Sequence, residues 1–246
     1  MRQFVFLLVT VFFTGVLAQA QTKRVAIVTF YADKLIGANK LDAGARESFY
    51  ELAEEENEQF DIEPILKEFH QTFRNDYLES FPFEVIPEEA VLNHAGYTNY
   101  QLPASITVNE NRLIPIEGYK VLVSGGNMLR SWRTEAHMIA ALADLEVDGV
   151  MYVTLYYTWE PKIAFGGMGN VGIKAHISME LYNKEAKKVF SHEESAVSKK
   201  SVALVGAVPV MNYDKLLPMC QDATERLTKD LNKKIHKLTR KTNKSL

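Results

Sequence analysis

The run from Asp148 to Trp159, DGVMYVTLYYTW, constrains this chain most. It is long, apolar and rich in β-branched and aromatic residues, which fit a pleated, well-covered surface. It predicts the central strand of a sheet, with the other elements laid beside it.

The clearest periodicity follows that run. Val171, Ile173, Ala175, Ile177, Met179 and Leu181 alternate with Gly172, Lys174, His176, Ser178, Glu180 and Tyr182, the period of a half-buried antiparallel strand. Asn183 to Lys187 (NKEAK) is a polar turn, and Lys188 to Val197 reads as the returning hairpin partner.

Earlier in the chain, Lys23 to Phe30 (KRVAIVTF) predicts a buried first strand. Asp61 can cap a helix with Pro64 in its first turn. Ile62, Ile65, Leu66, Phe69, Phe73 and Tyr77 then recur at helical spacing. Phe83 to Ile86 (FEVI) reads as a short second strand closed by Pro87, and Tyr119 to Val123 (YKVLV) as a third. Gly125-Gly126-Asn127 reads as a turn. Thr134 caps a helix expected over Glu135 to Leu145, and a last amphipathic helix begins near Pro218. Residues 31–61 and 87–118 read as long loops, the second with short elements at most.

The N-terminus sets the compartment. Arg2, an apolar core from Phe4 to Leu17 and the A-x-A site Ala18-Gln19-Ala20 form a secretory signal peptide over residues 1–20. The run is short for a membrane span, which needs about 20 apolar residues. A lipoprotein would carry a cysteine after the cleavage site. Gln21 stands there, so no lipid anchor is expected, and the one cysteine, Cys220, reads as a buried packing residue. About 226 residues remain, enough for a single domain with its own core, here placed at residues 21–236 and followed by a basic tail over 237–246. The net charge of -3 becomes -4 without Arg2, which argues against a general nucleic-acid binder.

Chemistry-bearing motifs are sparse. FGGMGNVG, Phe165 to Gly172, is glycine-dense, but a phosphate loop must lead into a helix N-terminus and here a strand follows, so the stretch reads as a flexible hairpin loop. No serine occupies a G-x-S-x-G elbow, and the acidic run EEENE lacks the order of a calcium loop. His176 and His192 lie on paired strands. If Tyr182 faces Lys188, His176 falls opposite Glu194 and His192 opposite Ser178. That would place two imidazoles and a carboxylate on the outer face as candidate metal ligands. A one-residue register slip would separate them. Tyr156, Tyr157 and Trp159, with Val202, Leu204 and Val205 of the apolar segment Val202 to Met211, are candidates for a partner-binding patch if exposed together.

The order of these elements resembles an envelope family. A first strand reading VAIVTF, a FEVI-type strand, a helix entering VDGVMYVTL, an antiparallel hairpin and a closing helix look like a shared α/β domain. It is the domain of the curli-secretion lipoprotein CsgG, the penicillin-binding-protein activator LpoB and the N-terminal domain of TolB. There the first strand reads like VAVLPF and the central strand like ADAVLVGSV. The likeness covers roughly Lys23 to Phe30, Ile62 to Ile86 and Ala136 to Lys237. The lipid-anchoring cysteine of the two lipoproteins is missing here, and residues 31–61 and 87–118 run longer. The alternating apolar segments of a membrane-spanning hairpin are not seen. The resemblance implies a non-enzymatic envelope domain that binds a protein partner or self-assembles.

The sequence thus predicts a single α/β domain with a mixed sheet and helices packed on it, exported to the periplasm or secreted, with no cofactor. Its expected partner is another envelope protein or a second copy. The competing expectation is a periplasmic metal-dependent or hydrolytic enzyme using the glycine-rich loop and the hairpin histidines.

Overall fold

The structure, a computed structural model, describes residues 22–37, 60–103, 108–124, 134–206, 208–210 and 213–239. The expected signal peptide over residues 1–20, the acidic EEENE run, Gly125-Gly126-Asn127, Met211 and residues 240–246 lie outside them. No described helix is long and apolar enough to cross a membrane.

The fold is mixed α/β, built among the described residues on an eight-stranded sheet. Strand β1 (Arg24–Gly37) runs parallel to β4 (Gly149–Phe165), from Val25 opposite Gly149 to Gly37 opposite Thr158. Both strands are longer than their apolar cores suggested, so residues 31–37 are strand rather than loop. Asp148 fixes the start of this pairing. Its carboxylate accepts the Arg24 N–H at 2.9 Å and faces the Lys184 ammonium at 3.0 Å, while its own N–H donates to the Arg24 carbonyl at 2.7 Å.

On the other edge of β1 lie β2 (Glu84–Val85), parallel, and β3 (Leu113–Pro115), antiparallel. Beyond β4 comes β5 (Met168–Asn183), antiparallel to it along its whole length. The far edge of β5 is shared. Its C-terminal half pairs with β6 (Lys188–Val197), and its N-terminal end with β7 (Val202–Val205), which turns back as β8 (Val208–Pro209).

Tyr119 to Val123 is not a strand. It lies beside β1, but side chains satisfy its backbone. Thr29 Oγ1 donates to the Lys120 carbonyl at 2.7 Å and accepts the Leu122 N–H at 3.2 Å, and the Tyr97 hydroxyl accepts the Lys120 N–H at 2.8 Å.

Helix α1 (Glu63–Thr72) continues through a π turn over Phe73–Tyr77 and a 3-10 turn over Leu78–Ser80. Asp61 accepts the Glu63 N–H at its start, and Pro64 stands in the first turn. All six expected stripe residues, Ile62 to Tyr77, are buried. Residues four apart overshoot a 3.6-residue turn, and the wider π turn takes up the excess and keeps Phe69, Phe73 and Tyr77 on the sheet. The closing helix α5 (Tyr213–Thr239) begins earlier than expected and takes Pro218 inside. Proline there forfeits one bond, to the Asp214 carbonyl, near the helix start. Cys220 on α5 is buried in the core, and the expected tail is helical as far as Thr239.

Helices α1 and α5 cover one face of the sheet. The other face carries α2 (Glu88–Leu92), α3 (Ala95–Thr98) and α4 (Thr134–Ala141), packed on Ala26, Val28, Val150, Tyr152 and Tyr182. Among the described residues this second layer covers only the end where β1 and β4 begin. At their far ends the outer face carries Tyr156, Thr158 and Glu160, all partly exposed.

Candidate functional site

The β5–β6 register decides what the hairpin histidines can do. Tyr182 does face Lys188, but Leu181 faces Phe190, so Val189 is an extra residue. From there the strand is shifted by one. His176 pairs with Ser195 rather than Glu194, and His192 with Met179 rather than Ser178. Because strand neighbours alternate in face, His176 and His192 stand on opposite sides of the sheet. The candidate three-ligand arrangement is therefore not formed, and the described residues hold no group of three or more metal-ligating side chains.

Each histidine has other company. Glu194 turns toward α5 and takes the Lys234 ammonium at 2.9 Å, with His192 Nε2 at 3.9 Å. On the outer face, His176 stacks flat on Tyr156, with ring centroids 4.6 Å apart. Its Nε2 lies 2.9 Å from Thr158 Oγ1 and its Nδ1 3.2 Å from Glu193. The Tyr156 hydroxyl donates to the same Glu193 carboxylate at 2.8 Å. Burial lowers the His176 pKa, against the opposing pull of Glu193. Beside this cluster Glu180 accepts from Ser124 and Tyr182 and pairs with Lys188. Burial works against its charge, but these partners together hold its carboxyl below the ordinary range.

The expected partner patch divides. Tyr157 and Trp159 are buried beneath α5, and the Tyr157 hydroxyl hydrogen-bonds Thr224 at 2.9 Å. Val202 and Leu204 are buried in the same core. Tyr156 is half-buried in the His176 cluster. Of the six residues, Val205 alone is exposed, at 54 %.

Val205 belongs to a different surface. The β4–β5 hairpin closes at Gly166-Gly167, both with positive φ (57° and 76°), the pair of conformations a tight two-residue hairpin turn needs. Phe165 faces Met168 across that turn. Ile163 is 70 % exposed, Phe165 91 % and Met168 64 %, and Val210, just past β8, is 55 % exposed. Register puts these side chains together. Val171, Val202 and Leu204 turn inward, so Ile163, Phe165, Met168 and Val205 point to the opposite, uncovered face, as does Val210, which bonds back to Ala203. Five of the six large apolar side chains exposed among the described residues share this corner. The hairpin loop expected over Phe165 to Gly172 closes at Gly166-Gly167, but the exposed apolar tip beside it is not among the sequence expectations. Its signal is a Gly-Gly pair between apolar strand ends, a hairpin turn whose tip is apolar.

No family model matches the chain, and no curated protein matches it. Among the solved structures that resemble it weakly are the following two. A hypothetical protein of Chlamydia trachomatis is 8 % identical over 87 % of this chain and 98 % of its own, with a TM-score of 0.35. A putative neuraminyllactose-binding hemagglutinin homolog of Helicobacter pylori is 11 % identical over 92 % and 91 %, with a TM-score of 0.31.

Proposed function

We propose that this chain is an exported, non-enzymatic cell-envelope protein that acts by binding, as an accessory or assembly factor, through the apolar corner formed by the β4–β5 and β7–β8 turns. The observation that carries this reading is the concentration of exposed apolar side chains, Ile163, Phe165, Met168, Val205 and Val210, on one uncovered patch of sheet. A folded chain keeps such a patch where something binds it. The signal-peptide pattern and the order of elements that resembles the CsgG, LpoB and TolB domains support export and an envelope role.

The test is a hydrolase and metal-dependence screen of the mature chain, residues 21–246, alongside light scattering and binding assays. The expected result is no turnover, together with binding or self-association that Phe165→Asp abolishes. Turnover that disappears with His176→Ala overturns the reading.

One observation favours the enzymatic alternative, the run Thr158–His176–Glu193, in which a hydroxyl, an imidazole and a carboxylate stand in relay order. Against it, Thr158 sits between paired strands, opposite Gly37 on one side and Lys174 on the other. Its backbone is therefore not placed as the oxyanion donor that acyl transfer needs. A Thr158→Val variant with unchanged behaviour in every assay removes this alternative.

A further inference from the structure

We infer that the apolar corner seats in the headgroup layer of an anionic lipid bilayer. This rests on the binding role proposed above and names its occupant.

Charge argues for lipid. Between Glu160 and Glu180, and again between Glu194 and Asp214, the chain has no acidic residue, yet these two stretches carry Lys162, Lys174, Lys199 and Lys200. In a chain of net charge -3, the two hairpins that build the corner are thus locally cationic. Lys199 and Lys200 are exposed where the β6–β7 connection runs along the shared edge of β5, its Ser198 N–H bonded to the Ile173 carbonyl. Lys162 bulges out of β4 and donates to the Lys199 and Lys200 carbonyls at 2.7 and 3.1 Å, bracing that turn. At about 3.3 Å per strand residue, Lys162 stands about 10 Å behind Phe165, and Ile173, beside the β6–β7 connection, about 16 Å behind Met168. Apolar tips ahead and ammonium groups behind match an acyl boundary ahead of a phosphate layer. Two acids stand at the depth of these ammonium groups, behind the apolar tips: Glu160, which pairs with Gly172, and Asp222 on α5, which accepts the Lys199 N–H; the four lysines outnumber them.

Shape argues the same way. A Cβ built at Gly166 or Gly206 meets nothing within 4 Å, so both turns stand out into open space as adjacent prongs. The outer edge is a poor template for a second copy. Strand β8 is two residues long and one of them is Pro209, which has no N–H to donate. The patch is apolar, small and projecting, and it reaches no deeper than a hairpin tip, so it lies in the interface without spanning.

Flotation of residues 21–246 with vesicles of phosphatidylglycerol and phosphatidylethanolamine, against vesicles of phosphatidylcholine alone, tests this. Binding to the anionic vesicles alone, weakening with salt, is expected. Phe165→Asp with Met168→Asp should lower it by about tenfold or more, and Lys199→Gln with Lys200→Gln should reduce it and flatten its salt dependence. Thermal unfolding of the variants shows that they remain folded, and a Phe165→Trp variant should shift its emission to the blue on anionic vesicles. No flotation, or flotation indifferent to the double aspartate, overturns the lipid assignment. If instead light scattering shows a dimer that the double aspartate dissolves, the corner is an interface between copies. The binding role then stands and the lipid assignment falls. Turnover by a chain that still floats would sink the non-enzymatic role and leave the membrane seat intact.

Discussion

The Tyr97 hydroxyl donates to the Val28 carbonyl at 2.9 Å, at the point where β1 slips register against β4. Ile27 pairs with Met151 and Thr29 with Tyr152, so Val28 is an extra residue whose carbonyl Tyr97 serves. The same hydroxyl accepts the Lys120 N–H, tying the 119–123 segment to the sheet. Burial pushes the Tyr97 pKa up to about 12, so it remains a donor at any physiological pH.

Tyr97→Phe keeps the ring and removes the bridge. It leaves a buried carbonyl and a part-buried N–H without their partner, which costs about 1–3 kcal/mol. Urea unfolding should show that loss with an unchanged slope. Phe at 97 with no loss would mean water replaces the hydroxyl.

This bridge also shows where sequence reading stops. The period-two pattern of Val171 to Leu181 and the helical stripe from Ile62 to Tyr77 are legible because burial on one face imposes them on composition. Val28 and Val189 are extra residues in their strands, and nothing in their side chains marks them. The second decided the metal question, because a single inserted residue reverses the face of everything after it. Tyr119 to Val123 has the composition of a strand, but Thr29 and Tyr97 hydroxyls substitute for the ladder, a choice set by residues distant in sequence. Trp159 and Phe165 are both aromatic positions of one strand, and only register tells that the first is buried and the second exposed.

Gly96 is irreplaceable for a reason of space. A Cβ there would lie 1.9 Å from the Ala141 carbonyl oxygen, backbone against backbone, where α3 meets the end of α4. Gly96→Ala must push these helices apart and should cost about 3 kcal/mol, at the upper end for overpacking. Gly166→Ala meets open space and carries only the strain of φ 57°, about 1 kcal/mol. Thermal melts of the two alanine variants should differ accordingly, and equal losses would contradict the close approach.

Acid should destabilise the protein in two windows. Burial lowers the pKa of both His176 and His192 below the ordinary 6.5. Around His176, Lys174 adds to this while Glu193 and Glu160 oppose it, and around His192, Lys234 adds to it while Glu194 and Glu193 oppose it. The unfolded chain therefore takes up protons that the folded one resists, and stability falls as pH drops through and below 6.5. Glu180 and Glu88 have folded pKa values below the ordinary 4.5, so their contribution is present above 4.5 and is lost below it. Urea midpoints should decline from about pH 7.5 to about pH 5.5. His176→Gln with His192→Gln should flatten that decline while leaving the carboxylate window in place. A midpoint constant across the first window in the wild-type chain would contradict the burial of the two imidazoles.

Trp159 and Phe165 give the sharpest contrast between core and binding surface. Trp159 is fully buried under α5, and Trp159→Ala removes a large apolar volume that the surrounding sheet and helix cannot refill, a loss of about 3–5 kcal/mol. Phe165 is 91 % exposed, so Phe165→Ala should change stability by no more than about 0.5 kcal/mol. The two variants should separate completely. The first lowers the urea midpoint and weakens every binding assay only through unfolding, while the second leaves the midpoint alone and weakens binding directly. Should Phe165→Ala destabilise the chain as Trp159→Ala does, the side chain is packed rather than presented, and the corner is core.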